Sequence, residues 1–141
     1  MTHNLSVAAV WFLRLVAATI MLQTLFFKFS GAEESVYIFT KLGIEPWGRI
    51  GTGIIELIAS ILILYPRTTA FGAVIGIGVM AGAIFSHITK LGIVVMNDGG
   101  QLFIYAVLVF ISCALLFTIY RRQVFDLLER YLLRYHFKSL K

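Results

Sequence analysis

Three ionisable side chains lie within long apolar stretches of this sequence. They are Arg14, Glu56 and His87. Inside a bilayer such a group costs about 2.5–3.5 kcal/mol on insertion scales, so it requires a partner or a polar cavity. A carboxylate and an imidazole placed there can accept or pass protons. Glu56 and His87 are therefore the candidate catalytic residues.

Further polar residues near the ends of the same stretches could complete a binding site. Gln23 and Lys28 stand late in the first stretch, and Gln101 begins the last one. These three residues and Arg14 are the candidate cofactor-binding residues, for a quinone headgroup or another polar ligand. The alternative is structural, with Glu56 paired to Arg14 or Lys28 to hold two helices in register.

Haem and metal chemistry lack the residues they need. A haem held by two histidines requires both within spans, but His3 and His136 lie near the chain ends. His87, Cys113 and Glu56 stand on different stretches and are fewer than the closely spaced ligands of a zinc site. Cys113 has no second cysteine to pair with, and its apolar setting predicts a core residue. We expect neither a haem nor a metal.

The composition indicates a membrane protein. Hydrophobic residues make up 60% of the chain and charged residues 13%, whereas soluble proteins average about 25% charged residues. Four stretches approach the ~20 residues that a membrane-spanning helix needs, at about 7–29, 48–65, 69–88 and 101–120. The predicted fold is an all-α integral membrane four-helix bundle, with residues 1–120 as its domain.

Two shorter segments have amphipathic patterns. Residues 33–42 are too polar to span but too apolar for a plain loop, which predicts a short interfacial helix ending at Gly43. Residues 121–141 combine arginines and lysines with leucines and aromatic residues at helical spacing. This pattern predicts a separate cytoplasmic tail, an amphipathic helix lying on an anionic membrane surface.

The distribution of charge predicts the orientation. The net charge of +5 is concentrated after residue 120, beside apolar stretches, which favours a lipid bilayer over nucleic acid as the partner. Arg67 also gives the 65–68 turn a positive charge, and cytoplasmic segments are enriched in Lys and Arg. We therefore expect the inner (cytoplasmic) membrane, both termini in the cytoplasm, and the connections 30–48 and 89–100 facing outwards.

Glycines four residues apart mark the third stretch. The pairs are Gly72 with Gly76 and Gly78 with Gly82. Such spacing lets helix backbones approach closely in lipid. These faces could contact other membrane subunits or a second copy of the chain.

Several short motifs occur in an order that resembles a known family over about residues 13–120. The motifs are Arg14-Leu15, Phe27-Lys28-Phe29, Phe39-x-x-Leu42-Gly43-Ile44, Gly53-x-x-Glu56-Leu57, Leu62-Ile63-Leu64 and Arg67-Thr68. The chain resembles the DoxX-like family of four-span membrane proteins. The resemblance implies an outward-facing polar pocket, with Arg14, Lys28 and Glu56 at the family's recurrent charged positions. It also implies an association with membrane redox systems, among them a quinone-linked thiosulfate-oxidising enzyme and oxidative-stress complexes.

Two functions fit these residues. The first is a subunit of a quinone-linked membrane oxidoreductase system, with a polar intramembrane pocket near the outer face. Glu56 would then be the proton acceptor, and His87 or Lys28 the hydrogen-bond donor. The second is a non-catalytic structural or assembly subunit of a membrane complex. The first predicts a pocket open to a ligand, and the second a closed bundle in which Glu56 is fully paired.

Overall fold

The structure, a computed structural model, describes residues 7–138 of the 141-residue chain, and their side chains as far as Arg130. Its helices are α1 (Val7–Ser30), α2 (Glu33–Leu42), α3 (Trp47–Leu64), α4 (Thr69–Ser86), α5 (Gln101–Tyr120) and α6 (Arg122–Lys138). A short π-helical segment, His87–Leu91, continues α4. Residues 7–138 contain no β-strand, so the predicted all-α class is confirmed.

Four of these segments are long and apolar enough to cross a membrane. They are Val7–Ser30, Trp47–Leu64, Thr69–Leu91 and Gln101–Arg130. A spanning segment must satisfy its own backbone hydrogen bonds, because lipid offers none, and a continuous helix does so. The prediction of four helices long and apolar enough to span a membrane is confirmed. The last candidate span runs beyond α5 into α6, past the predicted end of the membrane domain.

The four long helices form a ring in which α1 and α4 stand diagonally opposite. α1 packs against α3 and α5, and α4 packs against the same two helices. The centre of the ring is filled by small and branched side chains with no exposed surface, among them Ala17, Ala59, Ile63, Ala73 and Val109. Cys113 is also wholly buried there, in the core position that its setting predicts.

The two glycine pairs of α4 have different surroundings. A Cβ atom on Gly72 would lie 2.7 Å from the Ala59 carbonyl oxygen and the Ile63 nitrogen, so α4 and α3 touch through their backbones. A Cβ on Gly76 would lie 2.6 Å from the sulfur of Cys113 in α5. Thus Gly72 and Gly76 provide close packing within this chain. A Cβ atom on Gly78 or Gly82 would have no atom within 4 Å among the described residues, so neither glycine is needed for close packing there.

The connections at one end of the ring are well defined. α2 occupies the predicted residues and ends at Gly43, whose φ of 79° is left-handed, so the glycine stops the helix. Asp98 precedes α5, and its carboxylate accepts hydrogen bonds from the backbone N–H groups of Val95, Gly100 and Leu102, at 2.8–3.0 Å. Burial acts to raise the pKa of Asp98, but these three donors hold that pKa below its usual value.

At the opposite end, Gln123 ties α6 to the turn between α3 and α4. Its Nε2 donates to the Pro66 carbonyl at 2.7 Å, and its Oε1 accepts the Ala70 N–H at 3.1 Å. Ala70 lies in the first turn of α4, where backbone N–H groups have no partner within the helix. One amide side chain therefore closes the turn and caps α4 while fixing the start of α6.

Candidate functional site

A cavity of about 670 Å³ lies at the end of the ring that α2 covers. All four long helices contribute to its wall, as does one face of α2 through Ser35, Ile38, Phe39 and Leu42. Most of its lining surface is apolar, and polar side chains from all four long helices and from α2 contribute the rest. Ligand pockets in proteins commonly have this size and this mixture.

Lys28 and Glu56 meet at the cavity wall. Lys28 Nζ forms an ion pair with Glu56 Oε2, and the two side chains are only 14% and 5% exposed. Thr24 adds a third group, because its hydroxyl lies 3.0 Å from the same carboxylate oxygen and 3.3 Å from Lys28 Nζ. The hydroxyl also lies 2.8 Å from the Met21 carbonyl, so its single proton can go to that oxygen or to the carboxylate.

The second carboxylate oxygen of Glu56 remains available. Within residues 7–138 the structure records no hydrogen bond to Oε1 of Glu56, and this atom is not among the sealed, unpaired polar atoms. Lys28 carries three N–H protons, of which Glu56 and Thr24 take two. The network therefore offers the cavity one acceptor oxygen and one donor proton.

Arg49, in the first turn of α3, supports this network from the neighbouring helix. Its guanidinium donates to the backbone carbonyl of Lys28, one of the last carbonyls of α1, which have no partner within the helix. It also forms an ion pair with Glu45, in which Nε and Nη2 of Arg49 each lie 2.8 Å from Oε1 of Glu45. Arg49 thus caps the C-terminal end of α1 at the Lys28 carbonyl and joins α1 to the start of α3.

His87 lies on the cavity wall where α4 passes into the π-helical segment. It is 5% exposed, and its Nδ1 lies 2.8 Å from the carbonyl oxygen of Gly92. Since a carbonyl can only accept, Nδ1 carries the proton in this contact, and Nε2 of the neutral ring is left as an acceptor. The ring also packs edge-on against Phe103, 5.7 Å away between centroids. π-Helical turns often occur at functional sites.

Gln23 and Gln101 also line the cavity, as do the acidic residues Glu34 and Asp98. Gln101 donates from Nε2 to the hydroxyl of Tyr105 at 2.6 Å, and Tyr105 lines the cavity too. Five of the six predicted site residues therefore line one cavity: Gln23, Lys28, Glu56, His87 and Gln101. Among the residues that the structure describes, no three His, Cys, Asp or Glu side chains come together in a metal-binding group.

Arg14 does not belong to this group. It is 2% exposed and packs between the rings of Trp11 and Tyr120, with its Cζ 4.9 Å and 5.0 Å from their centroids. Tyr120 is the last residue of α5, and Gln101 at the cavity is the first. Arg14 therefore lies at the opposite end of the ring, and of the two predicted partners for Glu56 the structure has Lys28.

The sequence did not indicate two residues of the site, which are Thr24 and Arg49. Thr24 precedes Lys28 by four residues, a spacing that places both on one helix face, and this could have indicated it. Arg49 acts on a backbone carbonyl, which a sequence does not distinguish from any other carbonyl. The structure therefore brings most of the predicted residues together at one cavity and adds two residues that hold them in place.

Comparison with known proteins agrees with the motifs. A family model described as DoxX matches residues 9–88, which include Lys28, Glu56 and His87. No curated protein and no solved structure gives a significant match. The matched part is more than half of the 141 residues and runs from α1 to the start of the π-helical segment. The chain therefore belongs to the DoxX family of membrane proteins.

Proposed function

We propose that this protein is a subunit of a quinone-linked membrane oxidoreductase system and that its cavity holds the quinone headgroup. The observation that carries the proposal is the carboxylate of Glu56, which lines an apolar cavity of about 670 Å³ and keeps one oxygen unpaired within the described chain. A quinone is a flat apolar ring with polar oxygens at two ends. Such a ligand suits an apolar cavity with few, localised polar groups.

The polar groups divide into donors and acceptors that match the two forms of a quinone. The remaining N–H of Lys28 would donate to a quinone carbonyl oxygen. The free oxygen of Glu56 and the bare Nε2 of His87 would accept from a hydroxyl of the reduced form. In this arrangement Glu56 is the proton acceptor, as its place within an apolar span led us to expect.

Location in the inner membrane with both termini cytoplasmic is part of the proposal. The charges of residues 7–130 divide unequally between the two ends of the ring. The end opposite the cavity has five arginines against two acids, a net +3, namely Arg14, Arg67, Arg121, Arg122 and Arg130 with Asp126 and Glu129. The cavity end has four basic and five acidic residues, a net −1. The positive-inside rule then places the cavity near the outer face.

The second candidate is a non-catalytic structural or assembly subunit. It is favoured by the Lys28–Glu56 pair, which joins α1 to α3 and would hold the helix register without any ligand. Other membrane subunits, or a second copy of the chain, would then contact its lipid-facing surface. This role requires the charge pair but does not require the cavity.

Blocking the cavity without touching a charge separates the two candidates. Gly82 lines the cavity and has nothing within 4 Å of a Cβ position, so Gly82→Leu would fill space that a ligand needs. Gly51 has the same freedom but lies outside the cavity wall, which makes Gly51→Leu the matched control. Decylubiquinone binding would be measured on purified protein in mild detergent, for the parent, these two variants and Glu56→Gln. Mass spectrometry and absorbance of the same preparations would show whether a quinone co-purifies.

We expect the parent and Gly51→Leu to bind decylubiquinone equally. Gly82→Leu should bind at least tenfold more weakly, and Glu56→Gln should lose part of the affinity. Equal binding by Gly82→Leu and the parent would place the quinone elsewhere. If the parent neither binds decylubiquinone nor co-purifies with a quinone, the quinone-linked function is rejected in favour of the structural one.

A further inference from the structure

Arg14 is a buried cation that has no ion pair among the residues that the structure describes. It is 2% exposed, and its Nε is the one sealed side-chain nitrogen or oxygen without a hydrogen bond among the described residues. No hydrogen bond or ion pair to any of its nitrogens is recorded within residues 7–138. A guanidinium stays protonated in proteins, so burial cannot neutralise it. In the described part of the chain, the faces of two aromatic rings are the groups that stabilise its charge.

The guanidinium lies close to the end of the ring of helices. Arg14 follows Val7, the first residue of α1, by seven residues, or about 10 Å of helix. Side chains of a helix point towards its N-terminus, and the contact with Trp11 shows that this one does. Its other contact, Tyr120, is the last residue of α5. Trp and Tyr are enriched at the level of the lipid headgroups.

No acid inside the ring is available to Arg14. Glu56 is the one acidic residue within α1, α3, α4 or α5, and it pairs with Lys28 at the other end. Asp126 and Glu129 belong to α6, and both are exposed. Arg121 and Arg122, directly after Tyr120, are exposed as well and add positive charge at this end. The balance of charge there favours an anion from outside the chain.

We propose that Arg14 binds the phosphate of an anionic phospholipid, with Trp11 and Tyr120 flanking the headgroup. A guanidinium matches a phosphate through two parallel hydrogen bonds. The structure records no hydrogen bond to either terminal nitrogen of Arg14 within residues 7–138, and Nε is the one atom of the group that is sealed and unpaired, so the terminal N–H groups are the donors left for a phosphate. The surrounding arginines attract anionic lipid to the same end of the ring. This site is separate from the cavity, and it does not depend on a quinone.

The test measures lipid-dependent thermal stability of the purified full chain in a neutral detergent. Dioctanoyl-phosphatidylglycerol, dioctanoyl-phosphatidylcholine and inorganic phosphate are titrated separately. A ligand that binds the folded state stabilises it by an amount that grows with the logarithm of ligand concentration over Kd, so the dependence of the melting temperature on concentration gives the affinity. Arg14→Gln removes the charge, and Arg14→Lys keeps the charge but loses the planar fork. Arg122→Gln removes an exposed arginine at the same end and is the matched control.

We expect phosphatidylglycerol to stabilise the parent with at least tenfold higher affinity than phosphatidylcholine. Arg14→Gln should lose at least tenfold in phosphatidylglycerol affinity, Arg14→Lys at least threefold, and Arg122→Gln less than twofold. Unchanged affinity in Arg14→Gln would overturn the proposal, as would equal stabilisation by inorganic phosphate alone. If Arg14→Gln does not fold, unchanged phosphatidylglycerol affinity in Arg14→Lys would overturn it.

Discussion

Lys28 and Glu56 form an ion pair between α1 and α3 while both line the cavity of about 670 Å³. The pair therefore contributes to helix register and to the polarity of the cavity at once. Taking two charges out of water is costly, and an apolar pair of similar volume is often as stable or more stable. A function for the charges beyond holding the helices together would account for a charged pair at these positions.

Breaking the pair from one side should be costly. Glu56→Met leaves the Lys28 ammonium buried without its counter-ion, and Lys28→Met does the same to the carboxylate. Each single variant should lose about 3–5 kcal/mol in the free energy of unfolding. The double variant should lose less than either single one, because no uncompensated charge remains. Denaturation of all four proteins in the same detergent would measure this.

The comparison has a clear failing outcome. If the losses of the two single variants simply add in the double variant, the two side chains do not interact as the structure places them. Lys41→Met is the control, because Lys41 is exposed on α2 and makes no ion pair among the described residues. It should change the free energy of unfolding by less than about 0.5 kcal/mol.

Gly72→Ala should destabilise the protein. The new methyl group would lie 2.7 Å from backbone atoms of Ala59 and Ile63, and a backbone cannot move aside as a side chain can. Overpacking of this kind costs about 1–3 kcal/mol, so we expect the melting temperature to fall by several degrees. Gly78→Ala, on the same helix with nothing within 4 Å, is the control and should not fall. Equal melting temperatures would contradict the close approach of α3 and α4.

Asp98 should make stability depend on pH in the acid range. Its carboxylate has a lowered pKa in the folded state, so its stabilising effect is present above the unfolded value of 3.8. The effect is lost as the pH falls through the lower folded value. Asp98→Asn should cost about 1 kcal/mol near neutral pH, because an amide nitrogen cannot accept the Leu102 N–H.

Melting temperatures between about pH 2 and pH 6 would test this, with Asp126→Asn as the control. The difference between the parent and Asp98→Asn should shrink steadily as the pH falls below about 4. A difference that stays constant over that range would mean that ionised Asp98 does not cap α5.

Gln123→Met should loosen the start of α4 without changing the four spans. The substitution leaves the Ala70 N–H and the Pro66 carbonyl without their side-chain partner. A typical hydrogen bond contributes about 1 kcal/mol, so the Ala70 amide should exchange hydrogen about fivefold faster. Glu129→Gln on the exposed surface of α6 should leave that rate unchanged. An unaltered Ala70 rate in Gln123→Met would show that the turn closes without this side chain.

The helices and most of the polar cluster could be predicted from the sequence, but the partner of Glu56 could not. Long apolar runs define spans, and the axial positions of the polar residues follow from 1.5 Å per residue. Whether Lys28 or Arg14 pairs with Glu56 depends on how far α1 is rotated about its axis and on the direction of each side chain. Residue spacing along the sequence determines neither the rotation nor the side-chain direction.

The glycines of α4 illustrate the same limit. Gly72 with Gly76 and Gly78 with Gly82 have equal spacing, yet the first pair touches α3 and α5 while the second borders the cavity or open space. The spacing indicates that close approach is possible, but the neighbour of each face is set by the arrangement of the other helices. That arrangement is a property of the whole ring.

The side chain of Gln123 couples two parts of the protein mechanically. It forms hydrogen bonds with the turn that joins α3 to α4, and it belongs to α6, which follows α5. We expect a displacement of α6, for example on docking of a partner protein, to shift the turn that follows α3. Glu56 lies near the middle of that helix. The start of α6 is thus connected, through one side chain and one turn, to the helix that bears the carboxylate.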